Sequence, residues 1–424
     1  MEILKLKKLF TAILSITIFI AMLMNITGCS FPTSKVQAAN LIEGIKANLV
    51  SEKNIDEKFI HNTADFSIEL FKYSIADKEN SLISPLSVML ALAMTANGAD
   101  NETLAQMEKV LGKDISIEDL NKYLYTYMKK LSNEEKTKLT IANSIWLKEN
   151  DFMPFKDFLQ IIADYYKADI FKAAFDSSTV SNINNWVKSK TDGMIDKILN
   201  KIDPEDVMYL INAVAFDAEW ETVYEKHNIY KDIFTDINGN KQKAEFMRSE
   251  ENFYIEDKNA IGFIKPYAKK HYSFAAIIPN ENMTIGEYIK TLTGEKFINL
   301  IKNAKTTLVH ASLPKFKYDY EINLNSTLES LGMKDAFSPE KANFNKLGTS
   351  FVGNIFISEV LHKTFISVDE KGTNAGAVTS VDMTSTGMPV NPKIVKLDRP
   401  FVYAIIDNKT NLPIFIGTVM SIKD

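Results

Sequence analysis

Side chains able to hold a metal, pass a proton or attack a carbonyl are scattered through this chain without the spacings that catalysis needs. The five histidines, His61, His227, His271, His310 and His362, are isolated, and none pairs at the H-E-x-x-H spacing that sets two imidazoles on one helix face. There is no G-x-S-x-G elbow, no G-x-x-x-x-G-K-[ST] and no G-x-G-x-x-G, so no hydrolase nucleophile, nucleotide cradle or dinucleotide turn is written here. The single cysteine, Cys29, excludes an internal disulfide framework and any multi-thiolate metal or iron–sulfur site. No cofactor or metal is expected. With 54 acidic against 49 basic side chains and a net charge of -5, nothing draws the chain to nucleic acid. The residues point away from an enzyme.

The most unusual stretch runs from Glu370 to about Val390 and holds mostly small residues. Gly, Ala, Ser and Thr supply little area to bury, which suits an exposed loop. The same stretch nevertheless alternates with period two. Thr373, Ala375, Ala377, Thr379, Val381 and Met383 form one small or apolar set, and Gly372, Asn374, Gly376, Val378, Ser380, Asp382 and Thr384 form a mostly polar one. A half-buried strand needs that pattern. A loop written as a strand is a conflict between levels of structure, and such conflicts mark function.

The elements around this stretch read as a mixture. Val88 to Ala96 is rich in Ala, Met and Leu, follows Ser84-Pro85-Leu86-Ser87 and predicts a buried helix closed at Asn97-Gly98. Asn62 or Thr63 is a candidate cap for an earlier helix carrying Phe66, Leu70 and Phe71. Strands are expected over 139–147, 207–216, 272–278, 307–313, 355–360, 363–368 and 401–406, the second nearly continuous in apolar residues and so central in a sheet. Helices and strands intermix without βαβ regularity, giving an α+β class. At 424 residues, length alone suggests two or three domains, but no Pro/Gly/Ser-rich linker divides the body, so one large domain is expected.

Lys5, Lys7 and Lys8 precede an apolar run from Leu9 to Met24, followed by Ile26-Thr27-Gly28-Cys29. That is the order of an export signal, and its last four residues resemble the bacterial lipobox, in which the cysteine is lipidated. Residues 1–28 are therefore expected to be a signal peptide, with Cys29 lipid-anchored at the outer face of a bacterial membrane. A secreted form and an uncleaved signal anchor are the alternatives. Residues 29–58 read as a tether in which Leu41, Ile45 and Leu49, four apart, suggest an amphipathic segment: a solvated spacer, or a short helix docked on the body. The body spans 59–424.

Val368-Asp369-Glu370-Lys371-Gly372-Thr373-Asn374-Ala375-Gly376-Ala377 resembles the hinge of the reactive-centre loop of serpins, a family mostly of serine-protease inhibitors. Other motifs agree in order. Asn80 to Ser87 resembles the early motif, Ile211 to Phe216 with Trp220 the third-strand motif, Leu313-Pro314-Lys315-Phe316 the sixth-strand motif, and Asp398-Arg399-Pro400-Phe401 the closing one. The resemblance implies a single domain with a dominant mixed sheet of five strands, two smaller sheets, about nine helices and an exposed loop near 370–390. It implies a monomer that traps a target serine protease as a covalent acyl-enzyme when the cut loop inserts into the main sheet. A non-inhibitory binding protein and an inhibitor of cysteine proteases are the competing readings.

By the same resemblance Glu370, Gly372, Thr373, Ala375 and Ala377 form the hinge. Ser84, Ser87, Asn212 and His362 form a central shutter. Trp220 marks the breach where insertion begins, and Lys315 pairs with Glu370. Family spacing puts the scissile bond between Thr386 and Gly387. From Glu370 that is 16 steps, roughly 50 Å of strand. A small residue at Thr386 suits elastase-like or subtilisin-like enzymes. Two departures stand out: Val378 where Ala, Gly or Ser is usual, and Asn374 where Glu is commoner.

Overall fold

The helices form where capping and burial agree. The computed structural model describes residues 36–373 and 391–422. By its internal contacts the chain divides after Val36, and the unit considered below begins at Gln37. Among the described residues there are nine α-helices: α1 (Glu57–Ser74), α2 (Pro85–Ala96), α3 (Asn101–Leu111), α4 (Ile117–Lys130), α5 (Lys156–Tyr165), α6 (Ser177–Lys190), α7 (Ile285–Lys290), α8 (Gly294–Lys302) and α9 (Asn325–Leu331). Helix α1 starts earlier than its sequence suggests. Asp56, not Asn62 or Thr63, caps it by accepting from the Phe59 N–H at 2.9 Å, while the Asn62 amide donates to the Gly112 carbonyl instead. All twelve residues of α2 are buried, which explains its apolar composition on every face. Pro85 opens it, but the Ser84 hydroxyl makes no cap; it donates to the Ile414 carbonyl at 2.8 Å.

The central sheet is mixed. Its five long strands are β2 (Thr137–Lys148), β3 (Asp169–Ala173), β4 (Met208–Glu219), β5 (Phe316–Asn323) and β6 (Glu359–Val368), and two-residue pieces β1 (Ala39–Asn40) and β7 (Gly372–Thr373) widen it to seven. The order is β1-β3-β2-β4-β7-β6-β5. Residues 355–358, expected as strand, lie outside the ladder, and β6 starts at Glu359. A nine-stranded sheet stands behind it, antiparallel apart from the parallel pairing of Lys393–Lys396 with Lys305–Pro314. Phe216 of β4 packs edge-on against Tyr267 and Tyr272 and tilted against Phe415, joining the two sheets through one core.

The segment after Gln37 is not a helix. Strand β1 pairs antiparallel with β3, a turn covers residues 41–44, and the chain then runs without regular structure to Asp56. The four-residue spacing of Leu41, Ile45 and Leu49 misleads because backbone partners are available elsewhere: Leu41 N–H donates to Ile170 O at 2.7 Å, and Asn48 N–H donates to the Asp164 carboxylate at 2.7 Å. Leu41 packs against the core, whereas Leu49 is fully exposed.

Candidate functional site

Strands β4 and β6 pair directly, and in parallel, only from Glu359 opposite Tyr209 to Thr364 opposite Val214. Above that point they diverge. In the gap sits β7, with Thr373 opposite Ala218 on one side and Val368 on the other, and Gly372 opposite Glu219. The hinge therefore already contributes two residues to the sheet. The turn that feeds them is built by Asp369, whose carboxylate accepts from the Lys371 and Gly372 N–H groups at 2.8 and 3.2 Å. Its own N–H donates to Gly372 O at 3.0 Å. Gly372 is required by closeness, since a Cβ there would lie 2.0 Å from the Ala218 carbonyl oxygen.

An aromatic floor supports the turn. The Trp220 indole stacks on Tyr267 at 4.6 Å and donates from Nε1 to Asp369 O at 2.9 Å. The Tyr267 hydroxyl meets the Thr373 Oγ1 at 2.6 Å, so the buried Thr373 side chain is satisfied in its inserted position. Beside this floor a buried ion pair joins Lys265 to Glu251 at 2.9 Å, with the ammonium 4.4 Å from the centre of the Tyr224 ring. Burial works against the Lys265 charge, but Glu251, Tyr224 and Glu221 together more than offset it, and the ammonium is held above its ordinary range. At the rim, Lys315 stands between Glu370 at 2.7 Å and Glu245 at 3.1 Å. The hydrogen bond from Lys315 holds the Glu370 carboxyl below its usual range.

The open end of the gap is a groove of about 460 Å³, lined by Lys138, Asp192, Asp217, Phe365, Ser367 and Asp369 among others. Its charge is mainly acidic. Burial raises the Asp217 carboxyl, and Glu219 and Asp369 push the same way against Lys138.

Halfway down the closed part lies a second cluster. His362 stands opposite Asn212 in the β4–β6 pairing, and Asn212 stands opposite Asn143 in β2. The Ser84 N–H donates to His362 Nε2 at 3.1 Å, which leaves the ring proton on Nδ1 to donate to Asn212 Oδ1. The Asn212 amide donates to the Ser87 hydroxyl and to Asn143 Oδ1. Burial lowers the His362 pKa to about 3, so the ring is neutral in the closed sheet.

Ser84, Ser87, Asn212 and His362 thus converge in one buried network, while Trp220, Lys315, Glu370, Gly372 and Thr373 converge at the gap. Ala375, Ala377, Thr386, Gly387 and Cys29 lie outside the described residues, as do the signal segment and the departures Asn374 and Val378. Asn143, Tyr267, Asp369 and the Lys265–Glu251 pair were not singled out from sequence. Asn143 left a signal, an amide inside the strand run Leu139 to Leu147; so did Asp369, three residues before Gly372. Tyr267 and the ion pair left none, because only the tertiary fold brings Tyr267 to Thr373 and Lys265 to Glu251.

The family described as Serpin (serine protease inhibitor) matches residues 61–422. Human serpin B8 is 31% identical over 372 residues, covering 84% of this chain and 97% of that protein. The crystal structure of tengpin, a thermophilic serpin, in its native state is 82% identical, with TM-score 0.89 over 91% of this chain and 100% of that one. Tengpin in its latent state gives a TM-score of 0.80 at 80% identity, over 88% and 100% of the two chains.

Proposed function

The chain belongs to the serpin family, and from that premise we propose that it is a suicide-substrate inhibitor of serine proteases rather than an enzyme. A protease attacks the loop after Gly372–Thr373 as substrate, and the cut loop then enters the central sheet between β4 and β6. The observation that carries this reading is the register of β7. Its two residues already occupy the antiparallel position between the two strands that an inserted loop would extend, and they do so at the open end of the gap.

In this reading Trp220 and Tyr267 hold the starting point, and Ser84, Ser87, Asn143, Asn212 and His362 keep the lower sheet closed until cleavage. The scissile bond is Thr386–Gly387, and small or flat pockets of the elastase and subtilisin kind accept it. We further assign residues 1–28 to export and Cys29 to lipid attachment, which would place the inhibitor at an outer membrane face.

Incubation with elastase and with subtilisin tests the proposal. An SDS-stable complex, with mass spectrometry of the released peptide starting at Gly387, is the expected result. Cleavage at that bond by every protease tried, without any stable complex, would replace inhibition by a non-inhibitory role. A complex only with papain-type enzymes would move the target class.

A further inference from the structure

The two-stranded ribbon Phe152–Pro154 with Gly348–Ser350 carries an exposed apolar face that the trapping mechanism does not use. Met153 stands opposite Thr349, and the Phe351 N–H donates to Asp151 O at 2.9 Å, so residues 151, 153 and 155 share one face with 349 and 351. Met153 is 55% exposed, Phe155 43%, Phe351 63% and the adjacent Val352 65%. Three large apolar side chains on one face of the ribbon, with Val352 exposed beside them in sequence, differ from the scattered exposed residues of an ordinary surface.

Its place in the fold indicates what covers it. The ribbon follows β2 by a short turn, and the Glu149 N–H donates to Ala173 O at 2.7 Å, at the end of β3. Strand β1 runs antiparallel along β3, with Ala39 opposite Lys172, so Gln37, the first residue of the folded unit, lies at that same end of the sheet. The hinge lies at the other end, beside Glu219, roughly 36 Å away along β4. Cys29, the attachment point assigned above, precedes Gln37 by eight residues in sequence.

We propose that this apolar face rests in the interfacial layer of the phospholipid membrane to which the N-terminal segment anchors the chain, and thereby turns the hinge end away from the bilayer. The proposal rests on the anchoring assigned above. Four side chains would hold a free protein on lipid only weakly, but attachment at the same end raises the local concentration of membrane surface. Glu149, Asp151, Lys156 and Asp157 around the ribbon are of both signs, so the contact should not require anionic lipid.

The test uses the folded unit from Gln37, which contains no cysteine. A histidine tag before Gln37 holds it on phosphatidylcholine vesicles doped with a nickel-chelating lipid. An environment-sensitive fluorophore is placed through Phe351→Cys or, as a second position, Val352→Cys, and for comparison through Lys226→Cys near the hinge. The expected result is a shift to shorter wavelength and loss of iodide quenching at 351 and 352, with no change at 226. Equal quenching at all three positions overturns the proposal. A shift that appears without vesicles and grows with protein concentration also overturns it, in favour of a second copy. Sedimentation of the lipidated full chain with undoped vesicles reports the anchoring separately, and its failure leaves the chelator result standing.

Discussion

Thr373 stands between Val368 and Ala218, and this one register assigns an address to every loop residue that follows it. Residues 374, 375 and 376 would lie beside 217 to 215 and 367 to 365, where β4 and β6 do not pair. Ala377 is the first that must displace a pair, Val214 with Thr364, and Asp382 is the last, at Tyr209 with Glu359. Thr379 would part His362 from Asn212. Six parallel pairs therefore separate the free start of insertion from its completion, each replaced by pairing on both sides. With a net gain of about 0.5–1.5 kcal/mol per hydrogen bond, the exchange favours the inserted state, while the intact shutter network opposes its passage beyond the free start.

Acid should open the shutter. In the closed sheet His362 stays neutral down to about pH 3, because burial excludes the charge, whereas an exposed imidazole takes up its proton near pH 6.5. The open state therefore binds more protons in that window, and the closed state loses stability as pH falls from about 6.5 toward 3. Protonation would also aim an Nε2–H at the Ser84 N–H. The rate of conversion to a loop-inserted form should rise as pH is lowered below 6, by at most about tenfold per unit. In the His362→Gln variant the profile should be flat over that window, and an unchanged slope would assign the acid response to other groups.

The rim ion pair should contribute little, and charge reversal should not rescue it. Lys315 and Glu370 are both partly exposed, and such pairs are worth about 0–1 kcal/mol. Lys315 has a second partner in Glu245, so Glu370→Gln leaves the ammonium paired. In the double variant Lys315→Glu with Glu370→Lys, the new carboxylate faces Glu245. A double-mutant cycle on thermal unfolding should therefore give a reversed pair less stable than wild type. Full recovery would mean that Glu245 is not a partner in solution.

The segment after Gln37 should slow conversion to the inserted form. Insertion between β4 and β6 requires β2, β3 and β4 to move away from β6 and β5. Strand β1 is hydrogen-bonded to β3, and the same segment is fastened to α4 by Lys53 with Asp119 at 2.6 Å and to α5 by Asn48 with Asp164. It straps the moving half of the sheet to helices on the body. Removing residues 37–56 should speed conversion at fixed temperature, and Asn48→Ala with Lys53→Ala should give part of that effect. Equal rates for the truncated and full chains would show that the strap carries no load.

The α+β class, the buried helix α2 and the central strand β4 were legible because their apolar patterns are long and local. The strand character of Gly372 and Thr373 was legible because the period-two pattern begins there. What sequence could not supply was depth. The spacing of Leu41, Ile45 and Leu49 suits a helix, yet the free edge of β3 offered the backbone a better set of partners, and no local pattern records a free edge elsewhere in the fold. Likewise Tyr267 becomes part of the site only because the strands before and after it bring its hydroxyl under Thr373, more than a hundred residues away in sequence.

Thr373 itself is the sharpest test of the hinge. Its side chain is buried, its Oγ1 is bonded to Tyr267, and Trp220 covers the neighbouring turn. Thr373→Val keeps the shape and the β propensity but leaves the Tyr267 hydroxyl without that partner, a loss of about 1–3 kcal/mol at a buried site. It should still trap protease, with faster release of β7 seen as quicker hydrogen exchange at residues 372 and 373. Thr373→Arg must bring a guanidinium onto an aromatic floor beside which the Glu251 carboxylate is already paired with Lys265, so β7 should leave the sheet. Cleavage of the loop should then proceed without an SDS-stable complex, and the cut protein should lose the gain in melting temperature that full insertion confers. If the Arg variant traps protease as well as the Val variant does, insertion does not begin at Thr373.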